Sequence, residues 1–169
     1  NGDNFICFVC GIICCDSCSK HIDKCPLCRA TLRLSLTERI NHFENLLKRD
    51  NYNYLYFAQY RIGSSFLFLK RYAESLYWME SSAMMGFSLA QYMMGYIFLK
   101  GIGIPKNIEL SFEWFKLSDK NHFLNAKTVI AYFYLKGLHV EKNLSEAKNY
   151  FLNASVRGHS LAQNNLGNI

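Results

Sequence analysis

From Ser88 onward the apolar and polar positions repeat with a long period. The stretch SLAQYMMGYIFLKGIGIPKNIELSFEWFKLSDKNHF lies over LNAKTVIAYFYLKGLHVEKNLSEAKNYFLNASVRGHS at an offset of 36 residues. Ala90, Ala126 and Ala162 share that register, Leu99-Lys100-Gly101 recurs as Leu135-Lys136-Gly137, and Lys106-Asn107 recurs as Lys142-Asn143. Self-similarity at this period predicts a helical repeat array. Each unit reads as two antiparallel helices. The first, about Ser88 to Leu99, presents Ala90, Met94, Gly95 and Phe98, with small residues where a neighbour must come close. Gly101 can take the left-handed conformation that ends this helix, and Asn107 caps the next. The spacing predicts Leu110, Trp114 and Leu117 on the buried stripe of the second helix. In the following unit the matching residues are Glu146, Tyr150 and Asn153, so the stripe is expected to move to Leu144, Ala147, Phe151 and Ala154. Either hairpin alone leaves an apolar face uncovered, and stacking covers it.

Upstream the same pattern is shorter. Phe57-Ala58-Gln59-Tyr60 with Gly63 aligns with Leu89-Ala90-Gln91-Tyr92 with Gly95, but at an offset of 32, so four residues are missing from the turn near Lys70-Arg71. Before it, Ser35-x2-Glu38 reads as a capping box. Leu36, Ile40, Phe43, Leu46 and Leu47 follow at helical spacing and predict a helix from about Leu36 to Arg49. The expected organisation is a cysteine-rich module over 1–33, a connecting helix over 34–51, and repeats over 52–169. The repeat units are placed at 52–87, 88–123 and 124–159, with a partial unit at 160–169.

Composition adds little to this picture but removes several classes. Half of the residues are hydrophobic and only 2 of 169 are proline, which argues for a packed core rather than disorder. The 11 tyrosines and 13 phenylalanines exceed what a minimal core needs, which points to interfaces. The net charge of +6 is spread along the chain beside acids, as in Lys70-Arg71 followed by Glu74, and argues against nucleic acid. The best apolar run, Met93 to Ile104, is broken by Lys100 and two glycines and falls short of a membrane span. No signal-peptide pattern is visible, and the first residue, Asn1, is not methionine, as expected of a fragment or a processed product.

The chemistry concentrates at the other end. All 7 cysteines lie between Cys7 and Cys28: Cys7-x2-Cys10, Cys14-Cys15-x2-Cys18 and Cys25-Pro26-Leu27-Cys28, with His21 between the last two groups. Three C-x2-C pairs so close together fit a zinc module, since each pair can offer one ion two thiolates at about 2.3 Å. An odd cysteine count and a long cysteine-free remainder argue against a secreted disulfide knot, and favour an intracellular, reducing compartment. Cys7, Cys10, Cys25 and Cys28 complete one tetrahedral set for Zn2+. Cys15 and Cys18 then need further ligands, from Cys14, His21 or residues upstream, so one zinc ion or two are expected. Such a short segment has too few large side chains to build a core, and a structural zinc supplies about 10–16 kcal/mol of apparent binding free energy.

Cys10-Gly11-x3-Cys15-x2-Cys18 followed by Cys25-Pro26-x-Cys28-Arg29 resembles the second half of a RING finger, in which two interleaved zinc sites brace each other. The resemblance implies that Arg29, after the last cysteine, helps position ubiquitin on a ubiquitin-conjugating enzyme. It departs where the family's histidine position falls on Ile12, and where the family's first cysteine pair is absent. The repeats in turn resemble the Sel-one-like family, relatives of the tetratricopeptide repeats, through Ala90, Gly95, Tyr96 or Phe98, Gly101, Gly103, Asn107 and Trp114, and through Ala126, Gly137, Asn143, Ala147, Tyr150, Ala154 and Gly158. That resemblance implies an all-α, right-handed α-solenoid that holds protein partners on a curved surface lined by first helices. It departs at Ala131, Leu138 and His139, where the glycines of the preceding unit at Gly95 and Gly103 are not kept.

The expected function is therefore a non-catalytic scaffold or adaptor with a structural zinc head and no small-molecule substrate. The alternative is a RING-type ubiquitin-ligase component with the repeats as substrate platform. No nucleophile lies beside a base, and His42, His122, His139 and His159 sit among apolar or neutral neighbours as turn or surface residues. The candidate contact residues are the tyrosines Tyr52, Tyr54, Tyr56, Tyr60 and Tyr92, a residue type favoured at interfaces.

Overall fold

The structure is a computed structural model, and it describes residues 4–6, 13–15, 35–47 and 55–167. The chain divides into two compact units, Asn1–Tyr52 and Asn53–Ile169.

In the first unit, β1 (Asn4–Ile6) pairs antiparallel with β2 (Ile13–Cys15) in the register Asn4↔Cys15, Phe5↔Cys14 and Ile6↔Ile13. Helix α1 (Leu36–Leu47) begins at the predicted capping box. Glu38 N–H donates to Ser35 Oγ (3.2 Å) and Ser35 N–H donates to Glu38 Oε2 (2.7 Å), so two amides at the helix start are satisfied reciprocally. These bonds favour the ionised carboxylate and hold the Glu38 pKa below its ordinary value.

The second unit is all-α. Three hairpins follow one another: α2 (Leu55–Phe68) with α3 (Tyr72–Met84), α4 (Ser88–Lys100) with α5 (Ile108–Lys120), and α6 (Leu124–Lys136) with α7 (Leu144–Val156). Helix α8 (Ser160–Leu166) opens a fourth unit. The turns behave as the sequence pattern requires. Gly101 and Gly137 take φ of 69° and 66°, and their N–H groups donate to the carbonyls of Ile97 and Phe133, closing the first helices in a conformation that disfavours a Cβ. Asn107 Oδ1 accepts from Leu110 N–H (2.9 Å) and Asn143 Oδ1 from Glu146 N–H (3.0 Å), so both second helices start on a side-chain cap. In the first hairpin the turn is reduced to residues 69–71, against 101–107 and 137–143 in the others, which accounts for the four missing residues.

The buried stripe of the second helices departs from the expectation in the second unit and at Leu144 in the third. Leu110 is 43% exposed and Leu117 37% exposed, and Leu144 also faces solvent, while Trp114 is half-buried. In α7 the expected Ala147, Phe151 and Ala154 are buried, and the matching positions, rather than the expected leucines, are buried in the earlier units: Ser75, Met79 and Ser82 in α3, and Ser111, Phe115 and Ser118 in α5. All three sets share one register, so the stripe does not move between units. The physical reason lies in hydrogen bonding. Ser75 Oγ donates to the Gly63 carbonyl (2.9 Å) and Ser111 Oγ to that of Gly95 (2.8 Å). Ser82 Oγ donates to the Tyr56 carbonyl (2.6 Å) and Ser118 Oγ to that of Ser88 (2.7 Å). A serine satisfied in this way is buried at little cost, and its small volume lets the two helices of a hairpin approach closely. Ala147 and Ala154 fill the same positions in the third unit with no polar atom to satisfy.

Close approach also explains the glycines opposite the stripe. A Cβ on Gly95 would stand 2.9 Å from the Phe115 ring, and one on Gly63 3.0 Å from the backbone nitrogen of Met79. The core is shared between units rather than enclosed within them. Met79 and Ala83 of the first hairpin pack with Ala90, Met94 and Ile97 of the second; Phe112 and Phe115 pack with Ile130 and Phe133 of the third; Phe151 and Ala154 pack with Ala131 and with Ala162 of α8. This is the nearest-neighbour coupling that a repeat array needs.

Candidate interaction surface

Two kinds of aromatic position recur along the array. The first lies in the seams between units. The rings of Tyr56, Phe57 and Tyr60 surround Phe87 at centroid distances of 5.1, 6.3 and 5.3 Å. One unit later Tyr92 packs against Phe115 (5.3 Å) and Phe123 (5.0 Å). Burial, with a smaller effect from Tyr96, pushes the Tyr92 phenol pKa up. At the next seam the aromatic pair is replaced by polar residues in the same register, Thr128 and His159. The His159 Nδ1 is 3.2 Å from Thr128 Oγ1 and accepts from Ala162 N–H at 3.3 Å, capping α8. Its Nε2 lies 2.9 Å from Asn125 Oδ1, which assigns the proton to Nε2. His159 is thus a partly buried seam residue, whereas His122 and His139 are exposed turn residues with φ of 66° and 62°.

Of the tyrosines singled out as contacts, Tyr56, Tyr60 and Tyr92 are therefore half-buried and occupied in packing between units. Tyr52 and Tyr54 lie outside the described residues, as do Arg29 and the metal candidates Cys7, Cys10, Cys18, His21, Cys25 and Cys28. The backbone of Cys14 and Cys15 is described, in β2. Among the described residues no three His, Cys, Asp or Glu side chains converge as a metal site would require.

The second kind of position faces outward on the first helices. Tyr96 and Tyr132 are 39% and 38% exposed and occupy the same place in consecutive units, each followed four residues later by an exposed lysine, Lys100 and Lys136. The Lys100 ammonium lies 6.0 Å from the Tyr96 ring centroid. Tyr132 Oη donates to Asn165 Oδ1 (2.8 Å), so this face runs from α6 onto α8. None of the four is among the contact residues expected from the sequence, although a Tyr-x3-Lys pair repeated at one full unit was there to be found. Between the faces the units are tied by polar groups in one recurring register. Gln91 Nε2 donates to the Ala83 carbonyl (3.0 Å), Lys127 pairs with Asp119 (2.7 Å), and Gln163 Nε2 donates to the Ser155 carbonyl (3.4 Å).

The Sel1 repeat profile matches residues 57–87, 88–118 and 126–159, more than half of the chain. The chain belongs to the Sel1 repeat family. Among the solved structures that share its fold are two examples. A Sel1 repeat protein from Oxalobacter formigenes is 22% identical, superposes with a TM-score of 0.67, and is matched over 77% of this chain and 98% of its own. The protein c5321, a protective antigen present in uropathogenic Escherichia coli strains and displaying an SLR fold, is 21% identical with a TM-score of 0.68, over 78% of this chain and 28% of its own. No curated protein matches the chain in sequence. Sel1 repeat proteins of this kind bind protein partners, and no described helix of this one is long and apolar enough to cross a membrane.

Proposed function

We propose that this Sel1 repeat protein is a non-catalytic scaffold that holds a protein partner against its first helices. The observation that carries the reading is the outward Tyr-Lys pair, Tyr96 with Lys100 and Tyr132 with Lys136, repeated at one-unit spacing. Tyrosine offers a large, rigid contact area at low entropic cost, and the stacked seams behind it present a pre-ordered surface that loses little freedom on binding. The test is site-specific photo-crosslinking in the native host, with the cross-linker placed at Tyr96, at Tyr132 and, as the control, at the exposed second-helix residue Tyr77. A protein adduct formed from Tyr96 and Tyr132 but not from Tyr77 supports the reading. Adducts from Tyr77 alone, or from none of the three, would sink it.

The cysteine-rich segment is proposed to be a structural zinc module. Four thiolates in two C-x2-C pairs, Cys7 with Cys10 and Cys25 with Cys28, have the donor chemistry of a closed tetrahedral site, and Cys15 and Cys18 with Cys14 or His21 would hold a second ion. Metal analysis of the purified chain gives one or two zinc ions per chain on this reading, and none on the contrary one. The similarity of Cys25-Pro26-Leu27-Cys28-Arg29 to a RING finger supports a ligase role as the second reading. Autoubiquitination that is lost in Arg29→Ala supports it, and the absence of product leaves the scaffold alone.

A further inference from the structure

We infer that the partner segment held on the first helices is an acidic polypeptide stretch, clamped by Lys100 and Lys136 and stacked on Tyr96 and Tyr132. The inference rests on the scaffold reading above and names the chemistry of the partner. Its basis is a segregation of charge between the two helix layers. The four first helices, Leu55–Phe68, Ser88–Lys100, Leu124–Lys136 and Ser160–Leu166, contain no aspartate or glutamate, and their ionised residues are Arg61, Lys100, Lys127 and Lys136. The second helices carry Glu74, Glu80, Glu109, Glu113, Asp119 and Glu146 against the lysines Lys116, Lys120 and Lys148.

Helix energetics alone do not produce this division. The positive end of the helix dipole favours a carboxylate in the first turn of any helix. Each second helix follows that rule, with Glu74, Glu109 and Glu146, whereas not one first helix does. The dipole accounts for Lys100 and Lys136 at helix C-termini but not for four first turns without an acid. A face that receives carboxylates from outside accounts for both, because a resident acid there would repel the ligand and compete for its lysines.

The density of charge selects the ligand. Lys127 is engaged by Asp119 at 2.7 Å, and Lys100 and Lys136 stand exposed one in each of two consecutive units. A duplex-binding surface neutralises about 6–10 phosphates, so this face is too sparsely charged for nucleic acid. Two Tyr-Lys pairs set one repeat unit apart suit an extended peptide that carries acidic residues at more than one position along its length.

The experiment is fluorescence anisotropy of the whole chain with short labelled peptides of equal length. They comprise one acidic peptide with glutamate at every third position, its glutamine counterpart and a basic counterpart, alongside an oligo-dT of equal charge. The acidic peptide is expected to bind best. Affinity should fall about tenfold or more in the double variant Lys100→Glu with Lys136→Glu, and hold in the turn variant Lys142→Glu, with helicity unchanged in both. Equal binding of the glutamine peptide, preference for the basic peptide or the oligonucleotide, or full affinity in the double variant would overturn the inference. If that happens while cross-links at Tyr96 and Tyr132 still capture a protein, the scaffold reading survives without it; if those cross-links also fail, both fall together.

Discussion

Phe115 and Leu117 stand two residues apart on α5, and hydropathy ranks them nearly alike, yet the stack treats them oppositely. Phe115 has no exposed surface and sits in the cluster with Phe112, Ile130 and Phe133 that joins the second unit to the third. Its ring also meets Tyr92 and Phe133 edge-on at 5.3 and 6.0 Å. Truncation to alanine removes these contacts and leaves a cavity that the packed helices cannot fully close, at a cost of about 3–5 kcal/mol. That is a large part of the roughly 5–15 kcal/mol that holds an ordinary domain together. Leu117 is more than a third exposed, so Leu117→Ala forfeits only part of one side chain's burial, about 1 kcal/mol or less. Urea unfolding followed by far-ultraviolet circular dichroism separates the two. With a slope of about 1–3 kcal/mol per molar, Phe115→Ala should lower the midpoint by about 1 M or more, and Leu117→Ala by a small fraction of that. Phe115→Ala should also broaden the transition, because the units on either side of the lost seam then unfold with less coupling. Equal midpoint shifts for the two variants, or a larger shift for Leu117→Ala, would refute the placement of the buried stripe.

Other perturbations test separate joints of the structure. Gly103 has φ of 71°, and a Cβ there would collide with the Cβ of Tyr72, so Gly103→Ala should cost more than the roughly 1–2 kcal/mol of left-handed strain alone. A thermal melt unchanged from wild type would contradict this. Asn107→Ala removes the cap on α5 and should cost about 0.5–2 kcal/mol in the same urea assay, with Asn107→Asp largely restoring it. Burial, and then nearby tyrosine and acidic groups, raise the pKa of Tyr150, as burial and Tyr96 raise that of Tyr92. A phenol whose folded pKa is raised adds stability that is complete below the unfolded value and lost as pH climbs through the folded one. Ultraviolet titration should therefore show these two phenols ionising later than free tyrosine, with unfolding easier at strongly alkaline pH and less so in Tyr92→Phe.

Much of the repeat unit was legible because its signals are local. Gly101 and Gly137 at positive φ, Asn107 and Asn143 as caps, and the Ser35-Glu38 capping box each act within a few residues, and each appeared where expected. The shortened turn of the first hairpin was legible from alignment alone. The buried stripe was legible in the third unit, at Ala147, Phe151 and Ala154, but not in the second, since hydropathy rates Leu110 and Leu117 above Ser111 and Ser118, and only tertiary contact shows the serines donating to carbonyls of the partner helix. The same gap hid which tyrosines face outward. Tyr60 and Tyr92 look like interface residues by type but are consumed by Phe87, Phe115 and Phe123, while Tyr96 and Tyr132 are the ones turned outward. Periodicity finds the element; which of its faces meets a neighbour is fixed by the stack.

The central claim, that the first helices form the binding face, is tested most directly by amide hydrogen exchange of the chain alone and in complex with the partner its Tyr96 cross-link captures. The account predicts slowed exchange across Ser88–Lys100 and Leu124–Lys136, with Ile108–Lys120 and Leu144–Val156 unchanged. Slowing confined to Ile108–Lys120 and Leu144–Val156 would contradict it.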